Sequence, residues 1–286
     1  MSGTIALPRT YSLGGDLEIN RMGYGAMRIT GEGIWGPPRD RAEAIRVVQR
    51  AVELGVNFID TADSYGPHIS EELIAEALYP YQPGLIIGTK GGLLRTGPNQ
   101  WPINAHPDYL KEALEGSLQR LKLNQIDLYQ LHRVDPEVPF EKSLEFLQDA
   151  QEQGLIKHIG LSEVTVAQII KAQEYVKVVS VQNNYSVDNR KWESELVFCE
   201  QNDIAFIPWY PLGGGNAQAL EKLSLISQKY NVTVHQLALS WLLHRSPNIL
   251  LIPGTSKVKH LEENYQAASM ALAPEDLEEL NKLKQD

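Results

Sequence analysis

The chain of 286 residues contains one cysteine, Cys199, and no apolar run long enough to cross a bilayer. A single cysteine cannot form an internal disulfide, so we expect Cys199 to be a buried, reduced thiol on a helix. A transmembrane helix needs about 20 apolar residues, which excludes a membrane-spanning protein. The N-terminal stretch "MSGTIALPRTYSLGGDL" lacks the basic start and apolar core of a secretory signal. These absences predict a cytoplasmic protein.

Basic residues are also in deficit, with 26 lysines and arginines against 36 aspartates and glutamates. The resulting net charge of −10 argues against binding to nucleic acid or to acidic membranes. Solubility alone explains a charge of this size. We expect a small-molecule partner and no nucleic-acid or membrane partner, and we also expect a monomer with no metal site.

Short β-branched runs alternate along the chain with longer segments in which apolar residues recur every three or four positions. The runs are almost continuously apolar, as in parallel strands that are buried on both faces. They span residues 21–27, 57–60, 85–90, 126–132, 157–162, 178–183, 204–209 and 249–253. Eight such units in a chain of this length predict an α/β fold, a (β/α)8 TIM barrel forming one domain over residues 1–286.

Three segments depart from this regular alternation. The connection 91–106 has no helical period, and long loops after strands are usually functional. Residues 217–245 have the pattern of two helices before the eighth strand. Ahead of the first strand, the Gly14-Gly15 pair predicts a β-hairpin turn, and such a hairpin would close the base of the barrel.

The stretch "NFIDTADSYG" places Asp60 at the end of a buried strand, where a charge needs a partner. In a barrel of this type the chemistry lies at the C-terminal ends of the strands. Those ends carry Asp60, Lys90 and His132 on three consecutive strands, and Tyr65 follows Asp60 in the same loop. Adjacent strands lie about 5 Å apart, so we expect the four side chains to converge. Lys90 would pair with Asp60 and lower the pKa of Tyr65 from about 10 towards the range of an acid–base catalyst.

Each of these residues alone has a structural explanation. Asp60 would cap a turn, Lys90 would reach solvent, His132 would be a buried, hydrogen-bonded histidine, and Tyr65 would pack in a turn. Four titratable side chains at neighbouring strand ends favour a catalytic site instead.

With these residues the chain resembles the aldo-keto reductase family over residues 21–264. The most specific strings are "FIDTADSYG" and "SEELIAEAL", supported by "IIGTK", "LHRVDP", "HIGLS" and "IPGTSKVKHLEEN". The resemblance implies hydride transfer from NADPH to an aldehyde or ketone, with Tyr65 as proton donor. It further implies that Lys90, held by Asp60, tunes Tyr65, and that a neutral His132 orients the carbonyl oxygen.

The cofactor would not be bound by a dinucleotide fold, because no G-x-G-x-x-G string lies between a strand and a helix. The resemblance instead implies contacts from the barrel itself. Hydroxyls and a lysine after the last strand suit a phosphate dianion, which favours NADPH over NADH, although a plain helix N-terminus explains those hydroxyls nearly as well. The implied contacts are Ser162 and Gln182 at the carboxamide, Trp209 on the nicotinamide, Leu212 and Gly213 at the pyrophosphate, Thr255, Ser256 and Lys257 at the 2′-phosphate, Glu263 and Asn264 at the adenine, and also Met27 and Asp60.

Two positions depart from the family pattern. Glu163 stands where many relatives have asparagine, and a carboxylate accepts hydrogen bonds but cannot donate one to the carboxamide oxygen. His260 stands where several relatives have a phosphate-binding arginine, and we expect it to be mostly neutral. The phosphate contact would then depend more on Lys257.

For the substrate, we expect an open pocket bounded by Trp35, Trp101 and the loop 91–106, because no long tail follows the helix at 274–286. Packing of the loop explains both tryptophans equally well. The strings "GPPRDR", "EALYPY", "QGLIKHIGLS" and "RSPNILLIPGTS" resemble the family's bacterial reductases of pyridoxal, which makes pyridoxal the specific substrate expected. Two other classes stay open. One is an NADP-binding regulatory subunit like the β subunits of potassium channels, and the other is a lysine Schiff-base aldolase.

Overall fold

The structure is a computed structural model that describes residues 9–211 and 217–283. It begins with an antiparallel hairpin, β1 (Thr10–Leu13) and β2 (Leu17–Asn20). The turn between these strands uses Gly14 and Gly15 at φ of 67° and 96°, a region in which glycine has no steric cost. The predicted N-terminal hairpin is therefore confirmed.

Within the described residues, seven parallel strands follow in sequence order, each hydrogen-bonded to the next. The last of them is followed, after two helices, by the eighth predicted run, which forms isolated parallel bridges. In these bridges Ile249 pairs with Phe206, and Leu251 pairs with Met22 next to the first strand of the sheet, so the sheet closes on itself. The strands are β3 (Tyr24–Gly25), β4 (Phe58–Asp60), β5 (Ile86–Gly91), β6 (Ile126–Leu131), β7 (Ile156–Ser162), β8 (Val178–Gln182) and β9 (Ala205–Phe206).

Amphipathic helices cover the outside of the barrel and pack their apolar faces against the sheet. Sequence caps set several of their starts, such as the reciprocal Thr233–Gln236 capping box. The two helices predicted within 217–245 are present, as Ala217–Tyr230 and Val234–Arg245. The helices are α1 (Arg41–Glu53), α2 (Ile69–Leu78), α3 (Pro107–Leu121), α4 (Phe140–Glu152), α5 (Val166–Ala172), α6 (Glu193–Gln201), α7 (Ala217–Tyr230), α8 (Val234–Arg245), α9 (Val258–Gln266) and α10 (Pro274–Asn281).

The hairpin closes the base of the barrel. Leu13 and Ile19 are fully buried and belong to the same apolar cluster as Phe58, Leu128 and Leu250, which come from the barrel strands. Burial of this kind contributes about 25 cal/mol for each Å² of apolar surface removed from water. The C-terminal ends of the strands, where the candidate site residues are predicted, lie at the opposite end of the barrel.

Some strands are shorter than the sequence pattern predicts. The first one is only β3, and residues Ala26–Ile29 form a 3-10 helix that carries Met27. On the other side of the eighth run, β9 ends at Phe206, whose carbonyl accepts a hydrogen bond from the Leu250 amide. The next residue in line to donate back is Pro208, which has no N–H. The ladder with the eighth run therefore stops there.

The loop 91–106 is more ordered than its composition suggests. It folds back on itself through antiparallel bridges between Leu93 and Ile103 and between Gly97 and Gln100.

Two of the absences in the sequence can be compared with the structure. Cys199 is fully buried on α6, and burial raises the pKa of its thiol to about 12, so the thiol stays protonated. Among residues 9–211 and 217–283, no helix has the length and apolarity that a bilayer crossing requires.

Candidate active site

Lys90 and Asp60 form a buried ion pair at the open end of the barrel. Lys90 Nζ donates to Asp60 Oδ2 at 2.5 Å and to the Thr61 carbonyl at 2.8 Å, and both charged side chains are almost fully buried. Burial alone would lower the pKa of Lys90, but the Asp60 carboxylate and Tyr65 outweigh it, and the net pKa is raised. The lysine is therefore held as an ammonium.

The second oxygen of Asp60 is held by two amides. Asp60 Oδ1 accepts from Gln130 Nε2 at 2.9 Å and from Gln182 Nε2 at 3.0 Å. Sequence reasoning had assigned Gln182 to the cofactor and had missed Gln130. The sequence contains a signal for Gln130, since it lies on β6 two residues before His132, which directly follows the strand, and alternate residues of a strand share a face.

Tyr65 lies directly above this pair in the loop between β4 and α2. Lys90 Nζ is 5.3 Å from the centroid of its ring, and the His132 ring meets it edge to face at 5.9 Å. The backbone conformation at the next position requires a glycine. Gly66 has a φ of 107°, and a Cβ there would lie 2.5 Å from the Cβ of Ile69. The loop thus places Tyr65 against Lys90 and turns into α2 only with glycine at position 66.

The pKa of Tyr65 is raised, so the prediction of a net decrease was wrong. Burial is the largest cause and Asp60 adds to it, while Lys90 and Arg133 act in the predicted, lowering direction. The sequence pattern indicates charges but not how completely a phenol is removed from water. A phenol with a raised pKa keeps its proton at neutral pH, as a proton donor must.

His132 is neutral, as expected. Burial is the main cause that lowers its pKa well below the usual value, and the charges of Lys90 and Arg133 act in the same direction. Its Nδ1 lies 3.5 Å from the Ser64 hydroxyl, the side chain next to Tyr65 in sequence. A neutral imidazole retains one N–H that can donate to a carbonyl oxygen. The four predicted side chains therefore do meet at one place.

The residues expected at the nicotinamide lie beside this group. Ser162 and Gln182 are register partners on β7 and β8. The Ser162 hydroxyl accepts from Arg133 Nη1 at 3.0 Å, a contact that sequence reasoning did not foresee. Glu163 Oε1 accepts from the Trp209 indole at 2.7 Å, so the residue that departs from the family pattern fixes the orientation of this ring.

The residues expected at the adenosine phosphate surround the start of α9. Thr255 is buried, and its hydroxyl accepts from the Lys257 amide at 3.1 Å. The N-cap of α9 is Lys257, and no side chain caps the helix, so the plain helix-start explanation of the two hydroxyls is not met. Ser256, Lys257 and His260 are exposed there, and Glu263 and Asn264 are half-buried one turn further on. The predicted pyrophosphate contacts, Leu212 and Gly213, lie outside the described residues.

Apolar side chains surround Tyr65 on the side where a substrate would enter. Ile34 and Ala62 form a cluster with Tyr65, and Met27 and Trp101 pack against it. The Trp101 ring meets the Tyr65 ring edge to face with centroids 6.4 Å apart. Trp35 is at the rim, with 36% of its surface exposed, and its backbone pairs with that of Gly66.

A further buried acid, Asp63, lies in the loop between Asp60 and Tyr65. Its Oδ2 accepts from the Tyr109 hydroxyl at 2.9 Å, and its Oδ1 has no hydrogen-bond partner among the described residues. Burial, helped by the nearby charge of Glu71, raises the pKa of Asp63 to about 7. The loop that carries Tyr65 therefore contains a carboxyl group that is half protonated near neutral pH.

The fold and this site match one family. The model of the aldo/keto reductase family matches residues 21–285, and the chain belongs to that family. Its members are NADP-dependent oxidoreductases that act on carbonyl and alcohol groups.

Individual relatives are similar to the chain over most of its length. An uncharacterized oxidoreductase of Schizosaccharomyces pombe is 54% identical, covering 91% of this chain and 85% of the relative. Pyridoxine 4-dehydrogenase of Escherichia coli is 42% identical, covering 97% and 99% of the two chains. Among solved structures, an aldo-keto reductase of Klebsiella pneumoniae in complex with NADPH superposes with a TM-score of 0.82 at 23% identity, covering 98% and 95%. The predicted barrel is confirmed by this likeness.

We predict that Asp63→Asn changes how stability depends on pH. Between the unfolded pKa of about 4 and the folded value of about 7, the folded protein binds more protons at Asp63 than the unfolded chain, so this residue makes stability fall as pH rises. Asparagine does not titrate but still offers Tyr109 an oxygen. From pH 5 to pH 8 the variant should gain about 3 kcal/mol in free energy of unfolding relative to wild type. Urea denaturation of both proteins measures this, and parallel pH profiles would contradict it.

Proposed function

We propose that this chain is an NADPH-dependent reductase of aldehydes and ketones, and that pyridoxal, reduced to pyridoxine, is its specific substrate. The observation that carries the proposal is the charged Lys90–Asp60 pair beside a protonated Tyr65 and a neutral His132. Support for pyridoxal comes from the pyridoxine 4-dehydrogenase of Escherichia coli, which aligns with this chain over 99% of its own length. We propose further that it acts as a cytoplasmic monomer.

The described side chains suit the proton half of such a reduction. When bound, NADPH supplies the hydride for the carbonyl carbon. The Tyr65 hydroxyl gives its proton to the carbonyl oxygen, and the O–H bond of the tyrosine breaks as the O–H bond of the alcohol forms. The Lys90 ammonium stabilises the phenolate that remains, and Asp60 keeps that ammonium charged and in place. The His132 N–H donates to the same carbonyl oxygen and orients it.

The donor set also suits the cofactor. Ser162 and Gln182 lie on neighbouring strands. The Nε2 of Gln182 already donates to Asp60 and Gln130, so its carbonyl oxygen would accept from the carboxamide NH2, and the Ser162 hydroxyl would contact the same group. Trp209 offers a flat ring that Glu163 holds in one orientation. At the far end, the exposed Ser256 and Lys257 would bind the 2′-phosphate.

The Schiff-base alternative fits the site poorly. An amine must be neutral to attack a carbonyl, whereas the pKa of Lys90 is raised and its ammonium donates to Asp60 and to Thr61. Borohydride trapping with a carbonyl substrate tests this directly, since the reductase should form no covalent adduct. A regulatory subunit would differ in another way, by very slow NADPH oxidation with every carbonyl tried.

We predict that Tyr65→Phe abolishes most turnover and leaves NADPH binding intact. The change removes the phenolic proton but keeps the ring that packs on Lys90 and His132. With pyridoxal among a panel of carbonyls, kcat followed by NADPH absorbance should fall by about 10²-fold or more. Tyr79→Phe, at a tyrosine that is 52% exposed, is the matched control and should behave as wild type. Near-normal kcat in Tyr65→Phe would rule out Tyr65 as the donor.

We predict that Lys257→Ala weakens NADPH binding about tenfold or more and changes NADH binding by less than about twofold. Only NADPH carries the 2′-phosphate, and a hydrogen bond to a charged group contributes about 1.5–3 kcal/mol. Fluorescence titration with both nucleotides gives the two Kd values. Lys111→Ala, another exposed lysine, is the control. Equal losses for NADPH and NADH would refute the phosphate assignment.

A further inference from the structure

Arg95, in the loop 91–106, has an unusual set of partners. Its Nε donates to the Gln100 carbonyl at 3.0 Å, and its Nη2 donates to the carbonyls of Gly33 and Gly97 at 2.9 and 3.3 Å. Its Nη1 donates to the carbonyls of Ile34 and Ser64 at 2.5 and 2.9 Å. A guanidinium has five N–H groups, and each one here meets a backbone oxygen.

These carbonyls belong to three different loops at the open end of the barrel. Gly33 and Ile34 lie after β3, Ser64 lies after β4, and Gly97 and Gln100 lie after β5. Loops are ordinarily the most mobile parts of a barrel, and carbonyls at their turns need donors. A single side chain therefore joins the three loops that surround Tyr65.

The faces of the guanidinium are used as well. The Arg95 Cζ lies 3.6 Å from the centroid of the Trp101 ring and 5.6 Å from that of Trp35. The Trp101 ring in turn packs edge to face on Tyr65. Arg95 thus holds the two tryptophans expected to bound the substrate pocket.

The hydrogen bond from Arg95 to the Ser64 carbonyl connects Arg95 to Tyr65 and His132. Ser64 precedes Tyr65 in the chain, and its hydroxyl lies 3.5 Å from His132 Nδ1. Both the proton donor and the group that orients the carbonyl are therefore adjacent to a residue whose backbone Arg95 holds. A displacement of about 1 Å at a reacting group can reduce a rate by about 10²-fold.

We propose that Arg95 is the positioning residue of this active site, and that it fixes Tyr65 and the Trp101 wall rather than binding a charged group of the substrate. The inference rests on the proposed reductase function. It follows from the geometry, because a guanidinium with all five N–H groups donated to the backbone has none left for a carboxylate or phosphate. Lysine cannot replace it, since an ammonium has three donors and no planar face.

The test compares Arg95→Lys, Arg95→Ala and the control Arg39→Ala, the last at an exposed arginine paired with Glu32. Each is assayed with NADPH and two aldehydes of similar shape, neutral benzaldehyde and anionic 4-carboxybenzaldehyde. We expect both Arg95 variants to lose about tenfold to a hundredfold in kcat, by the same factor for the two aldehydes. Their Kd for NADPH should stay within about twofold of wild type. Added guanidinium ion should restore part of the activity of Arg95→Ala.

Two results would overturn the proposal. Wild-type kcat in Arg95→Lys would show that charge alone suffices, and a loss confined to 4-carboxybenzaldehyde would show that Arg95 recognises an anion. Arg95→Lys retains the charge and much of the stem, so it keeps the test informative if Arg95→Ala fails to fold. Failure of the wild type to reduce any carbonyl would instead contradict the proposed function itself.

Discussion

The site depends on one ion pair that has been removed from water. Taking Lys90 and Asp60 out of solvent carries a desolvation cost that only close pairing and further hydrogen bonds offset. The barrel supplies these, with Thr61 on the ammonium and two glutamine amides on the carboxylate. Loss of either partner would leave an uncompensated buried charge. Lys90 can therefore stay charged next to Tyr65 only because Asp60 is paired with it.

The remaining parts of the site act around this pair. Burial keeps Tyr65 protonated and His132 neutral, so each has the protonation state that carbonyl reduction requires of it. The strands determine the positions of the two charged residues, since Asp60 and Lys90 lie near the ends of adjacent strands in fixed register. The loops set Tyr65, through Gly66 at the turn into α2 and through the contacts of Arg95. The strands thus position the two charged side chains, and the loops position Tyr65.

Much of this was predictable from the sequence, for identifiable reasons. Apolar runs of the right length predicted the barrel, and polar residues at their ends predicted the convergence of Asp60, Lys90, His132 and Tyr65. What failed depends on distances that no pattern encodes. The net pKa of Tyr65 is set by complete burial, and Arg95 reads as an ordinary loop arginine. The short pairing of the eighth run was within reach, because Pro208, which has no N–H, is visible in the sequence. Gln130 was within reach, because it shares a strand face with His132.

A double-mutant cycle on Asp60→Asn and Lys90→Met tests the central claim most directly, with kcat/KM for NADPH-dependent carbonyl reduction as the readout. If the two residues act as one unit, each single change should lower kcat/KM by about 10²-fold or more, and the double variant should be within a few-fold of the worse single variant. Losses that simply multiply in the double variant would show that the lysine and the aspartate act independently, and would contradict the account.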